Sequence, residues 1–126
     1  MLKSEVLKGD TEAYESLSSH YFKYSLDSLL PYSLMMSDKF DYPRAYYDVF
    51  ELIYITGEGD CVDYNLICLN KEKRRLALEY LSKAIEKGDK TASRVLLDYY
   101  DKDSYYPIKE LYENEELINK ARENIK

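Results

Sequence analysis

The sequence predicts an all-α protein in which antiparallel helical hairpins stack into a short α-α solenoid of about six to seven helices. Long segments repeat apolar residues with the period of an α-helix, and no alternating apolar-polar run is long enough for a strand. Glycine and proline are scarce, with 4 and 3 in 126 residues. Because this length is enough for one hydrophobic core and too short for two, we expect residues 1–126 to form a single domain.

The first hairpin is predicted at the N-terminus. A short helix from Leu2 to Lys8 should end at Gly9, because glycine readily adopts the positive φ that a helix C-terminal cap requires. Asp10 is a candidate N-cap for the following helix, which we expect to run from Thr11 to about Tyr24.

Two of the three prolines fall in or beside the next two predicted helices. One helix is predicted from Leu26 to about Met36, and Pro31 should kink or divide it, because proline lacks an N–H and clashes with the preceding turn. Another helix should begin near Pro43, at a first-turn position where the missing N–H costs nothing.

The segment from Lys71 to Lys87 has the clearest amphipathic pattern, and its small alanines would let two helices approach closely. Gly88 should end this helix, and Asp89 can cap the next one. A last helix is expected to start at Pro107 and to close the stack. The predicted buried stripe of the first of these helices consists of Leu76, Ala77, Tyr80, Leu81, Ala84 and Ile85, and that of the last helix consists of Ile108, Leu111, Tyr112, Leu117, Ile118 and Ala121.

Short motifs recur along the chain. The motif Lys8-Gly9-Asp10-x-x-Ala13 returns as Lys87-Gly88-Asp89-x-x-Ala92. Three apolar triplets also share one spacing, and they are Ala13, Leu17, Tyr21, then Ala45, Val49, Ile53, then Ala92, Leu96, Tyr100. Their first residues are 32 and 47 residues apart. The extra length falls in Glu58 to Asn70, which we interpret as an insertion that projects from one face of the stack.

These motifs resemble the Sel-1-like repeat, a relative of the tetratricopeptide repeat. The residues that carry the resemblance are Tyr54-x-x-Gly57-x-Gly59 and Ala77-x-x-Tyr80-Leu81-x-Lys83-Ala84-x-x-x-Gly88-Asp89-x-x-Ala92. It covers Ala45 to about Tyr100, includes the N-terminal hairpin only through the recurring motif, and departs from the family between Asp60 and Asn70, where the linker is longer. Proteins of that family are scaffolds and adaptors, so the resemblance implies protein binding, although a fold does not by itself fix a function.

Composition argues against several classes of partner. A formal charge of -6 would repel a phosphate backbone, so we expect no nucleic-acid binding. No apolar run approaches the length of a membrane span, and the first eight residues do not resemble a signal peptide, so we expect a cytoplasmic protein without a membrane partner. Cys61 and Cys68 are the only cysteines and are expected to be free structural thiols.

The sequence carries no recognisable catalytic or cofactor motif. His20 is the only histidine, and no motif places a nucleophile beside it. Glu58, Asp60, Asp63 and Asn65 crowd one segment but lack the spacing of a calcium loop. We therefore expect no enzyme activity, no cofactor and no metal.

Tyrosine and acidic residues are the best candidates for partner contacts. The chain has 15 tyrosines against 3 phenylalanines and no tryptophan, and exposed tyrosines are common in interfaces. Their alternative role is to fill grooves between helices. From Lys39 to Asn70 the net charge is -4, whereas the segment from Lys71 to Lys87 is basic, with charges that can serve solubility. The candidate partner-binding residues are Tyr42, Tyr46, Tyr47, Asp48, Glu51, Glu58, Asp60, Asp63 and Tyr64.

Small size, acidity and missing catalytic motifs lead to one specific hypothesis, a bacterial immunity protein that binds and neutralises a cognate basic toxin. The alternative is a general adaptor or scaffold in a signalling or envelope-assembly complex, which would bind several partners with modest affinity. A third possibility is an enzyme or metal protein, which would require His20 to meet the carboxylates of Glu58 to Asn65 in one pocket.

Overall fold

The chain folds into α-helices that pack against their neighbours in sequence, which confirms the all-α prediction. The computed structural model describes residues 2–24, 26–56, 71–101 and 114–126, and every regular element in these ranges is a helix. The helices are α1 (Leu2–Val6), α2 (Thr11–Tyr24), α3 (Leu26–Asp38), α4 (Pro43–Thr56), α5 (Lys71–Glu86), α6 (Lys90–Asp101) and α7 (Glu115–Asn124). Each helix packs against the next, and α5 also packs against α7.

Several sequence predictions concern residues outside those ranges. They include the turn at Gly57 and Gly59, the insertion from Glu58 to Asn70 with both cysteines, and the helix start at Pro107. Of the predicted partner-binding residues, Glu58, Asp60, Asp63 and Tyr64 also lie outside the described residues.

The recurring Lys-Gly-Asp motif forms the same turn twice. Gly9 and Gly88 have φ values of 87° and 91°, the left-handed conformation that favours glycine. In each turn the amide of the following aspartate donates to the carbonyl five residues earlier, at 3.2 Å after Gly9 and 3.0 Å after Gly88. The carboxylates of Asp10 and Asp89 then accept from the amide three residues later, at 3.0 and 2.8 Å. Both C-terminal caps and both N-caps were predicted correctly.

The turn between α3 and α4 also ends its helix with a residue in the left-handed conformation, but this residue is an aspartate and not a glycine. Asp41 has a φ of 52°, and the Tyr42 amide donates to the Met36 carbonyl at 2.9 Å. α4 then begins at Pro43, as predicted. α3 is a single helix that continues through Pro31, so of the two predicted outcomes, a kink or a division, the division is wrong. Pro31 is exposed, and its ring therefore does not disturb the packing of α3 against its neighbours.

α4 is the central helix, because it contributes to both hydrophobic clusters of the described residues. Tyr46, Val49 and Phe50 belong to a cluster shared with α5, α6 and α7. Ala45 and Leu52 belong to a second cluster shared with α1, α2 and α3. A helix that packs on both sides leaves only a narrow strip of its surface for solvent or for a site.

The buried face of α5 agrees with its predicted stripe at every position but one. Leu76 is 44% exposed, and Leu78 is buried in its place. The buried residues of α5 occupy one arc of about 160°, and Leu76 falls outside it by a step of about 40°. The buried residues of this helix are Ala77, Leu78, Tyr80, Leu81, Ala84 and Ile85.

The last described helix buries three of the residues that were predicted to close the stack, but it begins at Glu115 with Asn114 as its N-cap, so these residues do not belong to one continuous helix from Pro107. Leu117, Ile118 and Ala121 are buried against the larger cluster. The side-chain amide of Asn124 donates to the Ile85 carbonyl on α5 at 2.8 Å and to Oγ of Ser93 on α6 at 3.0 Å. No helix in the described ranges is both long and apolar enough to cross a membrane.

Candidate functional site: a cleft between α2 and α4

A polar cleft of about 250 Å³ opens between α2 and α4. Three carboxylates and one guanidinium line it, together with two hydroxyls. Charged side chains therefore dominate this site, with acidic groups in excess. The lining residues are Glu15, Ser18 and Ser19 from α2, and Arg44, Asp48 and Glu51 from α4.

Helix periodicity explains why these residues share one cleft. The α2 residues are spaced i, i+3 and i+4 from Glu15, and the α4 residues are spaced i, i+4 and i+7 from Arg44. Residues at these spacings lie on the same face of a helix. α3 packs against both α2 and α4, and it therefore holds the two helices that form the walls of the cleft next to each other.

A buried hydrogen-bonded group joins the three helices beneath the cleft. The Tyr14 hydroxyl donates to Oδ2 of Asp48 at 2.6 Å and lies 2.7 Å from Oγ of Ser33. Because a phenol has one proton, Ser33 is the donor in the second contact. Tyr14 and Ser33 are fully buried and Asp48 is 3% exposed. These contacts fix the orientation of the Asp48 carboxylate.

Arg44 lies on the other side of that carboxylate. Its Nε is 3.3 Å from Oδ1 of Asp48, and its Nη1 donates to Oγ1 of Thr91 on α6 at 3.0 Å. The guanidinium carbon is 5.0 Å from the centre of the Tyr47 ring, a distance suited to a cation-π contact. Arg44 therefore connects the cleft to the first turn of α6.

Burial sets the electrostatics of the site. It raises the pKa of Asp48 to about 6, although the Tyr14 hydrogen bond and the Arg44 charge act in the opposite direction. Burial also raises the pKa of Glu51, against the lowering effect of Arg44. Burial acts to lower the pKa of Arg44, but the neighbouring carboxylates of Asp48 and Asp89 outweigh it, so this pKa is raised.

Tyr42 borders the cleft. Its hydroxyl donates to Oε1 of Glu15 at 2.6 Å, and its ring meets that of Tyr14 edge to face with the centroids 5.9 Å apart. Burial and this hydrogen bond both raise the pKa of Tyr42. The contact holds the Glu15 carboxylate at the edge of the cleft.

The structure brings only some of the predicted contact residues together. Asp48 and Glu51 line the cleft, and Tyr42 contacts it through Glu15. Tyr46 and Tyr47 were predicted to be exposed, but each is only 8% exposed, so that prediction is wrong. They are buried because α4 packs against helices on two sides. Asp48, predicted as an accessible charge, is also buried.

Sequence reasoning missed four of the six residues that line the cleft. Three of them, Glu15, Ser18 and Ser19, lie on α2, as does Tyr14 beneath the cleft, and this helix was predicted only as a hairpin arm. The interruption of apolar residues at Ser18-Ser19 was the available signal, because polar residues there leave space beside a central helix. Arg44 was detectable from its i, i+4 spacing to Asp48, at which two side chains of opposite charge can meet on one face of a helix.

The cleft can hold an organic cation, such as an ammonium or guanidinium group, through its carboxylates, with the serine hydroxyls as further acceptors. Among the described residues, no group of three or more histidine, cysteine, aspartate or glutamate side chains is arranged to hold a metal ion. His20 is not one of the lining residues, and its ring lies beside that of Tyr21 with centroids 5.7 Å apart.

No protein-family model, curated protein or solved structure matches this chain. The resemblance to the Sel-1-like repeat therefore stays a prediction from the residues.

Proposed function

We propose that this chain is a non-enzymatic protein-binding module, and most specifically an immunity protein that binds and neutralises a basic toxin. One observation supports this more than any other. The cleft between α2 and α4 combines three carboxylates with a single guanidinium, and two of its acids, Glu15 and Glu51, lie at or near the surface. A cleft of this charge attracts basic side chains of a partner.

The partly buried position of Glu51 and the buried position of Asp48 strengthen that attraction. Charges interact more strongly where the protein displaces water and lowers the local dielectric constant than they do in bulk solvent. Asp48 is fixed by Tyr14, so a partner would meet a carboxylate that is already oriented. The overall charge of -6 would add long-range steering of a basic protein toward the chain.

The test is capture of partners from the native host with the tagged chain, washed at low and at high salt, followed by mass spectrometry. We expect one stoichiometric basic protein, retained at low salt and depleted at high salt. The variant Glu15→Lys/Glu51→Lys reverses both accessible charges of the cleft and should lose this protein.

The matched control is Glu86→Lys/Glu123→Lys, which makes the same double charge reversal at exposed positions of α5 and α7 that do not line the cleft. It should retain the partner. Several partners held independently of salt would favour the adaptor function instead. Equal retention by the cleft variant and the control would contradict the assignment of the site.

A further inference from the structure

The guanidinium of Arg44 makes two sets of contacts through different atoms. Its Nε lies 3.3 Å from Oδ1 of Asp48. Its Nη1 donates to Oγ1 of Thr91 at 3.0 Å, and its central carbon lies 5.0 Å from the centre of the Tyr47 ring. The contacts with Thr91 and Tyr47 do not involve Asp48, so Arg44 can keep them if Asp48 finds another partner.

The contact between Arg44 and Asp48 is incomplete for a pair of this type. Guanidinium and carboxylate bind most strongly through two parallel hydrogen bonds, one to each oxygen. Here Oδ2 accepts from Tyr14, and the contact recorded for Arg44 is from Nε to Oδ1 at 3.3 Å. The Asp48 carboxylate is thus oriented and buried, and this contact with Arg44 is longer than the usual distance for a charge-assisted hydrogen bond.

Charges on α2, α4 and α6 bear on Arg44 and Asp48. Glu15 on α2 and Glu51 on α4 line the same cleft and attract a cation into it. Asp89, the N-cap of α6, acts on Arg44 from the side of Thr91. The positive end of the α6 dipole disfavours a cation there, and the Asp89 carboxylate offsets this effect.

Building on the protein-binding function proposed above, we propose that Arg44 is an internal competitor, which occupies Asp48 in the free protein and yields it to a guanidinium side chain of the partner. The partner's arginine enters the cleft and pairs with Oδ1 of Asp48. Arg44 stays on Thr91 and the Tyr47 ring. The partner chemistry is therefore an arginine-bearing segment.

Arginine suits this cleft better than lysine does. A guanidinium has five N–H donors in one plane, whereas an ammonium has three donors at a point. The cleft presents acceptors on both walls, with Glu15 and two serines on α2 and two acids on α4. A planar cation can contact both walls at once.

The experiment measures binding of an acetylated tetra-arginine amide to the whole chain by calorimetry at low salt. The tetra-citrulline peptide, which has the same shape without charge, should not bind, and tetra-lysine should bind more weakly than tetra-arginine. Asp48→Asn should weaken binding of tetra-arginine. Arg44→Gln removes the competitor and should tighten it about fivefold, the size expected of a partly exposed ion pair.

Removing any positive charge from an acidic protein favours a cationic peptide, so Arg44→Gln is compared with Arg94→Gln, an exposed position on α6 outside the cleft. The expected tightening must exceed that of the control. Thr91→Val gives the opposite test. It removes the second anchor of Arg44, which should then hold Asp48 more tightly and weaken peptide binding.

The outcomes separate this inference from the proposed function. If Asp48→Asn weakens binding while Arg44→Gln matches Arg94→Gln or binds less tightly, the cleft binds basic segments but Arg44 is not a competitor. If tetra-arginine binds no better than tetra-citrulline, the guanidinium site itself is wrong. Circular dichroism checks the fold of each variant, and Thr91→Val decides the matter if Arg44→Gln does not fold.

Discussion

The Tyr14 hydroxyl donates to the Asp48 carboxylate at 2.6 Å and joins α2 to α4 across 34 residues of sequence. Tyr14 is fully buried, and Asp48 is the one buried carboxylate among the residues that the structure describes. Asp48 projects from α4 and lines the cleft, and the hydrogen bond from Tyr14 on α2 holds its carboxylate in position. This hydrogen bond therefore contributes to the stability of the fold and also orients a carboxylate of the cleft.

Tyr14→Phe should destabilise the protein by about 1–3 kcal/mol at neutral pH, because the buried carboxylate loses a donor and the Ser33 hydroxyl loses an acceptor. Urea unfolding followed by circular dichroism measures the change. Tyr46→Phe is the control, since its hydroxyl donates to the exposed carboxylate of Asp41. Tyr46→Phe should lower the free energy of unfolding by less than Tyr14→Phe does. Equal losses would mean that the buried contact with Asp48 contributes no more to stability than the exposed contact with Asp41.

The contribution of Asp48 to stability should depend on pH in the direction opposite to that of most carboxylates. Its pKa is about 6 in the folded protein, above the ordinary value of 3.8. The folded state therefore binds this proton more tightly than the unfolded state does. The stabilisation is fully present below pH 3.8 and is lost as the pH rises through about 6.

Asp48→Asn isolates this effect from the other carboxylates. The free energy of unfolding of the wild type, relative to that of Asp48→Asn, should fall by on the order of 2–3 kcal/mol between pH 4 and pH 7.5. Urea unfolding of both proteins at several pH values gives this difference. A difference that stays constant over that range would show that Asp48 is not perturbed by burial.

The two equivalent glycine turns should differ in their tolerance of alanine. Gly88→Ala should cost about 1–2 kcal/mol, because its φ of 91° strains any side chain while a Cβ there meets no atom within 4 Å. Gly9→Ala should cost more, because a Cβ at this position would lie 2.7 Å from two atoms of the Phe40 ring. Thermal unfolding of both variants tests the order, and a larger loss for Gly88→Ala would contradict it.

The close approach of α5 to its neighbours should make Ala84 intolerant of larger side chains. Ala84 is fully buried in the cluster that α4 to α7 share, so Ala84→Leu should destabilise by about 1–3 kcal/mol through overpacking. Leu76→Ala on the same helix is the control. Leu76 is 44% exposed, and its loss should change the stability by about 0.5 kcal/mol or less. Equal effects would indicate loose packing around α5.

Local features of the fold were predictable from the sequence, because they depend on residues close to one another in the chain. The glycine caps, the aspartate N-caps and the start of α4 at Pro43 follow from backbone preferences of single residues. The periodicity of α5 also identified its buried face. Leu76 was misplaced because the pattern alone does not show where the edges of that face lie, and Leu78 on the opposite edge is buried in its place.

The cleft could not be predicted, because it depends on contacts between distant segments. Glu15 and Asp48 approach each other only because α3 packs against both of their helices. The predicted exposure of Tyr46 and Tyr47 was wrong for a related reason. A single apolar stripe suggests one buried face, whereas α4 is covered on two sides and buries both rings.

Neutralisation of the captured basic protein is the most direct measurement of the proposed function. The partner is expressed in a sensitive host together with the wild-type chain, with Glu15→Lys/Glu51→Lys, or with the control Glu86→Lys/Glu123→Lys, and growth is recorded. The wild type and the control should restore growth, and the cleft variant should not. Growth inhibition that the wild type fails to relieve, or that the cleft variant relieves equally well, would contradict an immunity function of this cleft.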